Sequence, residues 1–183
     1  RRIREFLVGF GAQEILSFTL TNKATLFNKM GLDNQKCIEI ANPISQNWCV
    51  LRNWLTPTIV DFLGNNTTRE YPQRVFEVGD VVIPNLKAET CSDTVRRLCF
   101  ATTHKHANFT EIKQILRSLL EGLGLKFTVE ETEHASFIPG RVGTIKIDDQ
   151  KAGFIGELHP QVLKNWKLEN PIALFELDLQ KLL

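Results

Sequence analysis

Between positions 110 and 123 the apolar residues Ile112, Ile115, Leu116, Leu119, Leu120 and Leu123 recur three and four apart, so they form one continuous stripe along a helix. Asn108 and Glu111 make a capping-box pattern at its start, and Gly122 and Gly124 close it. A stripe this complete needs an apolar surface of comparable length to cover it. That surface is expected to be a sheet, because most of the remaining apolar residues alternate at the period of a strand.

Strand patterns run over residues 74–83, 98–103, 126–131, 142–147, 152–158 and 172–179, with shorter ones at 14–20 and 37–40. Over 14–20, Leu16, Phe18 and Leu20 alternate with Ser17 and Thr19, the mark of a half-buried strand. Asp148-Asp149 predicts a hairpin between 142–147 and 152–158, and Pro139-Gly140 a turn before it. A first helix is expected from Ile3, Phe6, Leu7 and Phe10, spaced i, i+3, i+4, i+7 and ended by Gly9 and Gly11. Asn22 is placed to cap a short helix running to Met30. Thr56-Pro57 predicts another start, a hydroxyl cap and then a proline where no N–H is needed, with Ile59, Val60 and Leu63 facing inward. Pro160 opens a short helix to Trp166. Hairpins broken by irregular helices, without a βαβα alternation, predict an α+β domain: a mostly antiparallel sheet flanked by helices, with the helices on one face.

The 183 residues fit a single domain, 1–183, and 43% hydrophobic with 23% charged residues is an ordinary globular balance. A net charge of +1, with basic residues clustered only at Arg1, Arg2 and Arg4 and at Arg96 and Arg97, argues against a stand-alone nucleic-acid binder. Those clusters read as solvated surface charge. No run of about 18 apolar residues predicts a membrane span. The four cysteines, Cys37, Cys49, Cys91 and Cys99, make no metal-binding spacing and fit a reducing, cytoplasmic compartment. The chain opens on Arg1 inside a helix pattern, which predicts a fragment of a larger subunit.

Six segments, taken in order, resemble one family. They are residues 2–20 with Gly9-Phe10-Gly11 and Glu14; Asn42-Pro43-Ile44-Ser45 followed by Leu51-Arg52 and Leu55-Thr56-Pro57; residues 74–81 around Glu77 and Gly79; Pro139-Gly140-Arg141; residues 153–160 ending in Gly156-Glu157-Leu158-His159-Pro160; and residues 175–179. The ordered set is similar to the catalytic-like module of the phenylalanyl-tRNA synthetase beta subunit, of the archaeal and eukaryotic type. The resemblance implies a class II aminoacyl-tRNA synthetase-like fold. It also implies a place in an enzyme that uses ATP and magnesium to charge tRNA with phenylalanine.

The resemblance further assigns roles. Residues 2–20 stand where class II motif 1 supplies a subunit interface, which makes Ile3, Phe6, Leu7, Phe10, Leu16, Phe18 and Leu20 candidate contacts with the alpha subunit, part of the helix stripe being expected to lie exposed. On the motif 2 strand, the position of the arginine that holds the α-phosphate falls near Ile83. On the motif 3 strand, Glu176 and Asp178 replace glycines and Lys181 replaces an arginine. Two carboxylates would repel a polyphosphate by about 1–4 kcal/mol per contact at about 4 Å, and lysine lacks the arginine fork. The domain itself is therefore expected to be catalytically inactive and to bind no cofactor. Asn42, Pro43, Arg52, Pro57, Glu77, Gly79, Pro139, Gly140, Gly156, His159 and Pro160 are the family-motif residues read as structural.

Other constellations are read as structure. Glu77, inside an apolar strand, is expected to be a buried acid paired with Arg52 or Arg74. His104-x-His106 lacks a third ligand nearby and reads as loop histidines, not a metal site. His159, before Pro160, is expected to bond local backbone. Trp48 and Trp54 are expected in the core or an interface. The function that follows is a noncatalytic domain supporting assembly with the catalytic alpha subunit, in a complex of two alpha and two beta chains that as a whole contacts tRNA. A free-standing pseudo-synthetase that binds an amino acid or nucleotide as a regulator is the alternative, and an active biotin- or lipoate-type ligase the third.

Overall fold

The computed structural model describes residues 2–182; Arg1, read above as part of a basic cluster, lies outside them. In chain order the first elements are helix α1 (Arg2–Gly9), strands β1 (Gln13–Glu14) and β2 (Leu20–Thr21), helix α2 (Lys23–Leu26), strand β3 (Val50–Leu51) and helix α3 (Thr56–Gly64). Strands β4 (Gln73–Pro84) and β5 (Ser92–Thr103), helix α4 (Phe109–Gly122) and strand β6 (Phe127–Glu131) follow. Strands β7 (Phe137–Ile147) and β8 (Gln150–Leu158), helix α5 (Pro160–Asn165) and strand β9 (Ile172–Asp178) complete the set.

Among the described residues, seven strands form one sheet in the order β1-β4-β5-β9-β8-β7-β6. Every pairing is antiparallel except β1 with β4 at the edge. The expected α+β class and mostly antiparallel sheet are what the chain adopts. Helices cover both faces, however, not one. On β9, Ala173, Phe175 and Leu177 point toward α1 and α4, whereas Ile172 and Leu174 point toward the α3 and α5 side. A strand buried on both faces reads as an unbroken apolar run, and the run Ile172-Ala173-Leu174-Phe175 was that signal. The α4 stripe packs as predicted: Ile112, Leu116, Leu119 and Leu120 are buried against the sheet. Asn108 caps the helix by accepting from the Glu111 amide at 3.0 Å.

Other departures have local causes. The strand expected over 14–20 is broken, and its phase is reversed. Ile15 is buried while Leu16 is 90% and Phe18 74% exposed. Residues 37–40 keep only a bridge from Glu39 to Val50. Pro139-Gly140 is no turn but an irregularity inside β7, between the pairs Phe137–Leu158 and Val142–Gly156, with Gly140 at φ +74°. Thr56 is the first residue of α3, not its cap, and its hydroxyl is engaged elsewhere. The Asp148-Asp149 hairpin is as predicted, both residues at positive φ as a tight primed turn requires. Helix α1 lies so close to α4 that a Cβ on Gly122 would stand 2.6 Å from the Phe6 ring.

Candidate functional site

On the face covered by α3, Glu77 of β4, Cys99 of β5 and Glu176 of β9 are consecutive cross-strand partners. Each acid is fully used by the fold. Glu77, 0% exposed, pairs with Arg52 through Oε1 at 2.8 Å. Its Oε2 accepts from the Ser17 hydroxyl, which in turn accepts from Arg52 Nη1 at 2.7 Å. Arg52 Nε donates to the Asp80 carbonyl at 2.9 Å. The guanidinium lies directly over Gly79, where a Cβ would come within 2.4 Å of Arg52 Nη2. Glycine is therefore required at 79 for room, not for backbone conformation. Of the two partners expected for Glu77, Arg52 and Arg74, it takes Arg52, and Arg74 meets Glu111.

Glu176 is 1% exposed. Its carboxylate accepts from the amides of Leu55 and Thr56, from the Thr56 hydroxyl and from Arg97. It therefore satisfies donors at the N-terminus of α3, where the helix dipole also favours a negative charge. Cys99, between the two acids, has its thiol pushed well above the usual range by burial and by the Glu176 charge, so it stays neutral. On the opposite face Glu157 of β8 plays the same part for α4. It accepts from the Phe109 amide at 2.6 Å and from Arg141 at 2.8 Å. Glu157, Arg141 and Ser17, each named above within a segment or strand pattern, take roles that the pattern alone did not assign. The signal for Glu157 was the one that found Glu77: a carboxylate inside an otherwise apolar strand.

Beside Glu176 the sheet face opens into a cleft of about 430 Å³, lined among others by Asn53, Trp54, Arg97, His134, Lys151 and Phe154 together with Glu176 and Asp178. Of the four positions read as degenerate motif residues, the structure brings Glu176 and Asp178 to this cleft. Ile83 packs against the hydrophobic cluster beneath α3. Lys181 is exposed on the 3-10 turn Leu179–Lys181. The cations Arg97 and Lys151 line the same cleft as the carboxylates Glu176 and Asp178, so it carries charges of both signs.

The motif 1-like residues divide. Leu7 is buried, and Ile3, Phe6 and Phe10 are half-buried and pack on the α4 side, so the stripe, part of which was expected to lie exposed, rests on this domain's own core with three residues partly open. Leu16 and Phe18 face outward, and Leu20 is half-buried. Phe18 meets Trp48 edge-on at 5.3 Å, and Phe18, Leu20, Ile40, Asn42, Pro43, Ile44 and Trp48 line one apolar groove. Trp54 is in the core. The remaining motif residues hold local geometry. Pro57 sits in the first turn of α3. Gly156 lies against Phe137 and the Arg141 carbonyl. Pro160 starts α5, and His159 caps it by accepting from the Gln161 amide at 3.1 Å, the local bond expected of it. His104 bonds Glu111 at 2.7 Å. Among the described residues no group of three or more His, Cys, Asp or Glu is placed to hold a metal ion, and no helix is long and apolar enough to cross a membrane.

A mostly antiparallel sheet whose buried acids are committed to arginines and helix N-termini, with a cleft beside Glu176 and an apolar groove at Phe18 and Trp48, describes an α+β module. A family model for the phenylalanyl tRNA synthetase beta chain CLM domain matches residues 1–179. The chain is 48% identical over 180 residues to the phenylalanine–tRNA ligase beta subunit of Pyrococcus abyssi, covering 98% of the chain and 32% of the relative. Its identity to the beta subunit of Thermococcus sibiricus is also 48%, over 97% of the chain and 32% of the relative. To that of Korarchaeum cryptofilum it is 36%, over 98% and 32%. The chain belongs to the phenylalanyl-tRNA synthetase beta chain CLM domain family. It spans about a third of the length of these relatives.

Proposed function

We propose that the chain is a noncatalytic structural domain of a phenylalanine–tRNA ligase beta subunit, and that it supports assembly with the catalytic alpha subunit. The observation that carries this reading is Ser17. Its hydroxyl is drawn inward by Glu77 and Arg52, which turns its neighbours Leu16 and Phe18 out to 90% and 74% exposure. The apolar pair is thus displayed by a buried polar network, not left over from packing. It continues into the groove that holds Ile44, 104% exposed, and Trp48. Exposed apolar patches of this kind mark protein contacts.

A class II synthetase-like fold fits the antiparallel sheet with its single parallel edge strand β1, which follows α1 as a motif 1 strand would. The whole ligase, two alpha and two beta chains in the cytoplasm, joins phenylalanine to tRNA with ATP and magnesium. This domain contributes no ligand to that chemistry, and tRNA is contacted by the complex as a whole.

Phe18→Glu and Ile44→Glu, made in the full-length beta subunit and co-expressed with alpha, test the assembly role. Lost co-purification at unchanged melting temperature is expected. Co-purification at the wild-type level in both variants means the groove is not the contact.

A further inference from the structure

We infer that the outer edge of β6, with the groove that α4 forms along it, is a docking site for an extended acidic segment of another protein, which joins the sheet as a further strand. This surface is separate from the assembly groove proposed above, since no residue is common to the two linings.

The backbone comes first. β6 is the last strand of the sheet, and among the described residues nothing pairs with its outer side. The opposite edge is β1, only two residues long. β6 and β7 pair in one unbroken register from Phe127–Ile147 to Glu131–Gly143. The Thr132 amide continues it by donating to the Val142 carbonyl at 3.4 Å. In an antiparallel pair, alternate residues turn their backbone groups to the partner. Thr128 and Glu130 are therefore the residues that bond β7, and a Cβ on Gly143 would stand 3.0 Å from the Glu130 carbonyl oxygen. Phe127, Val129 and Glu131 turn their amides and carbonyls outward, where among the described residues they make no hydrogen bond. Edge strands are commonly closed off by a proline or a bulge. Residues 127–131 have neither, and their two charges, Glu130 and Glu131, stand together at one end. Glu130 is held there by Lys146 at 2.6 Å.

The side chains set the chemistry of the partner. Beside the edge, α4 and β6 enclose a groove of about 860 Å³. Leu125, Phe127 and Val129 give it an apolar floor, and Lys113, Arg117 and Lys126 are its cations. Its one acid, Glu121, is already paired with Arg117 at 3.1 Å. Lys113 and Lys126 are exposed, and among the described residues neither has an ion-pair partner. An added strand bonds the free amides and carbonyls with its own backbone and turns every second side chain toward α4. Glutamates at those positions lay their stems on the apolar floor and bring their carboxylates to the cations. A basic strand meets like charge there. A nucleic acid would answer the cations but make no use of the row of backbone groups.

The test is fluorescence anisotropy of the labelled peptide Glu-Val-Glu-Val-Thr-Val against the full-length beta subunit co-purified with alpha. Wild type is compared with Lys113→Glu, at an exposed helix position, and with Val129→Pro, which removes an outward amide and no bond to β7. Binding should weaken at least tenfold in both variants, with co-purification unchanged. It should weaken at least tenfold also for the peptide with lysine in place of glutamate, and for one N-methylated at every peptide bond. Lys113→Glu decides alone if Val129→Pro lowers the melting temperature. The inference is overturned by unchanged anisotropy in wild type at about 1 mM peptide, by equal affinity in Lys113→Glu, or by equal affinity of the methylated peptide. Displacement by oligouridylate as efficient as by unlabelled peptide would assign the groove to nucleic acid instead. A doubled mass of the complex that Val129→Pro abolishes would assign the edge to a second copy.

Discussion

Glu176 holds Thr56 by both its amide, at 2.9 Å, and its hydroxyl, at 2.7 Å, so a carboxylate from the last strand caps a helix begun 120 residues earlier. Replacing Glu176 by leucine leaves the Leu55 and Thr56 amides, the Thr56 hydroxyl and Arg97 without their acceptor in a buried place. A loss of about 3–5 kcal/mol in urea unfolding is expected. Glu176→Gln keeps a carbonyl oxygen for the amides and should lose less. Equal losses for the two variants would show that the charge facing Arg97, not the capping bonds, carries the stability.

Gly79 is the only residue type that leaves the Arg52 guanidinium its place over β4, since a Cβ would stand 2.4 Å from Nη2. Gly79→Ala should cost about 1–3 kcal/mol by overpacking, and more if the Glu77 pair is broken. Because Ser17 is tied to the same network, the change should also alter protease sensitivity over residues 14–20. A Gly79→Ala protein with the wild-type unfolding midpoint would show that Arg52 can move aside freely.

His134 gives the stability a pH dependence with a defined sign. Burial first, and Lys151 second, depress its pKa in the folded chain. The unfolded chain takes up a proton near the ordinary value of about 6.5, before the folded one does. The contribution to stability is therefore full above that pH and is lost as the pH falls toward the depressed folded value. His134→Gln should flatten the unfolding free energy between about pH 7 and pH 5. Lys151→Met should flatten it in part. An unchanged profile in His134→Gln would place the acid sensitivity on another group.

The chain alone should show no phenylalanine-dependent ATP–pyrophosphate exchange. Ile83 offers no charge, and the carboxylates Glu176 and Asp178 stand at the motif 3-like positions on β9 and line the cleft. Exchange well above background that disappears in Lys181→Ala would overturn the noncatalytic reading.

The α4 stripe, the Asp148-Asp149 hairpin, the long strands and the need of Glu77 for an arginine partner were legible in the sequence because each rests on local rules. These are the helix period, the primed-turn preference, strand alternation and the cost of an unpaired buried acid. So was the family, carried by the order of short segments. Tertiary structure alone decided what no local rule contains. The alternation of Leu16, Ser17 and Phe18 reads as apolar side in. It folds apolar side out, because Glu77 and Arg52 claim the Ser17 hydroxyl. Thr56 reads as a self-sufficient cap, yet its hydroxyl and amide turn to Glu176 on β9. Glu176 and Asp178 read alike as charges on one strand. Cross-strand register gives Glu176 a saturated structural role and leaves Asp178 beside the cleft, next to Arg97. Periodicity along the chain says which residues share a side, but which groups lie opposite them across the sheet is set by strand pairing between segments far apart in sequence.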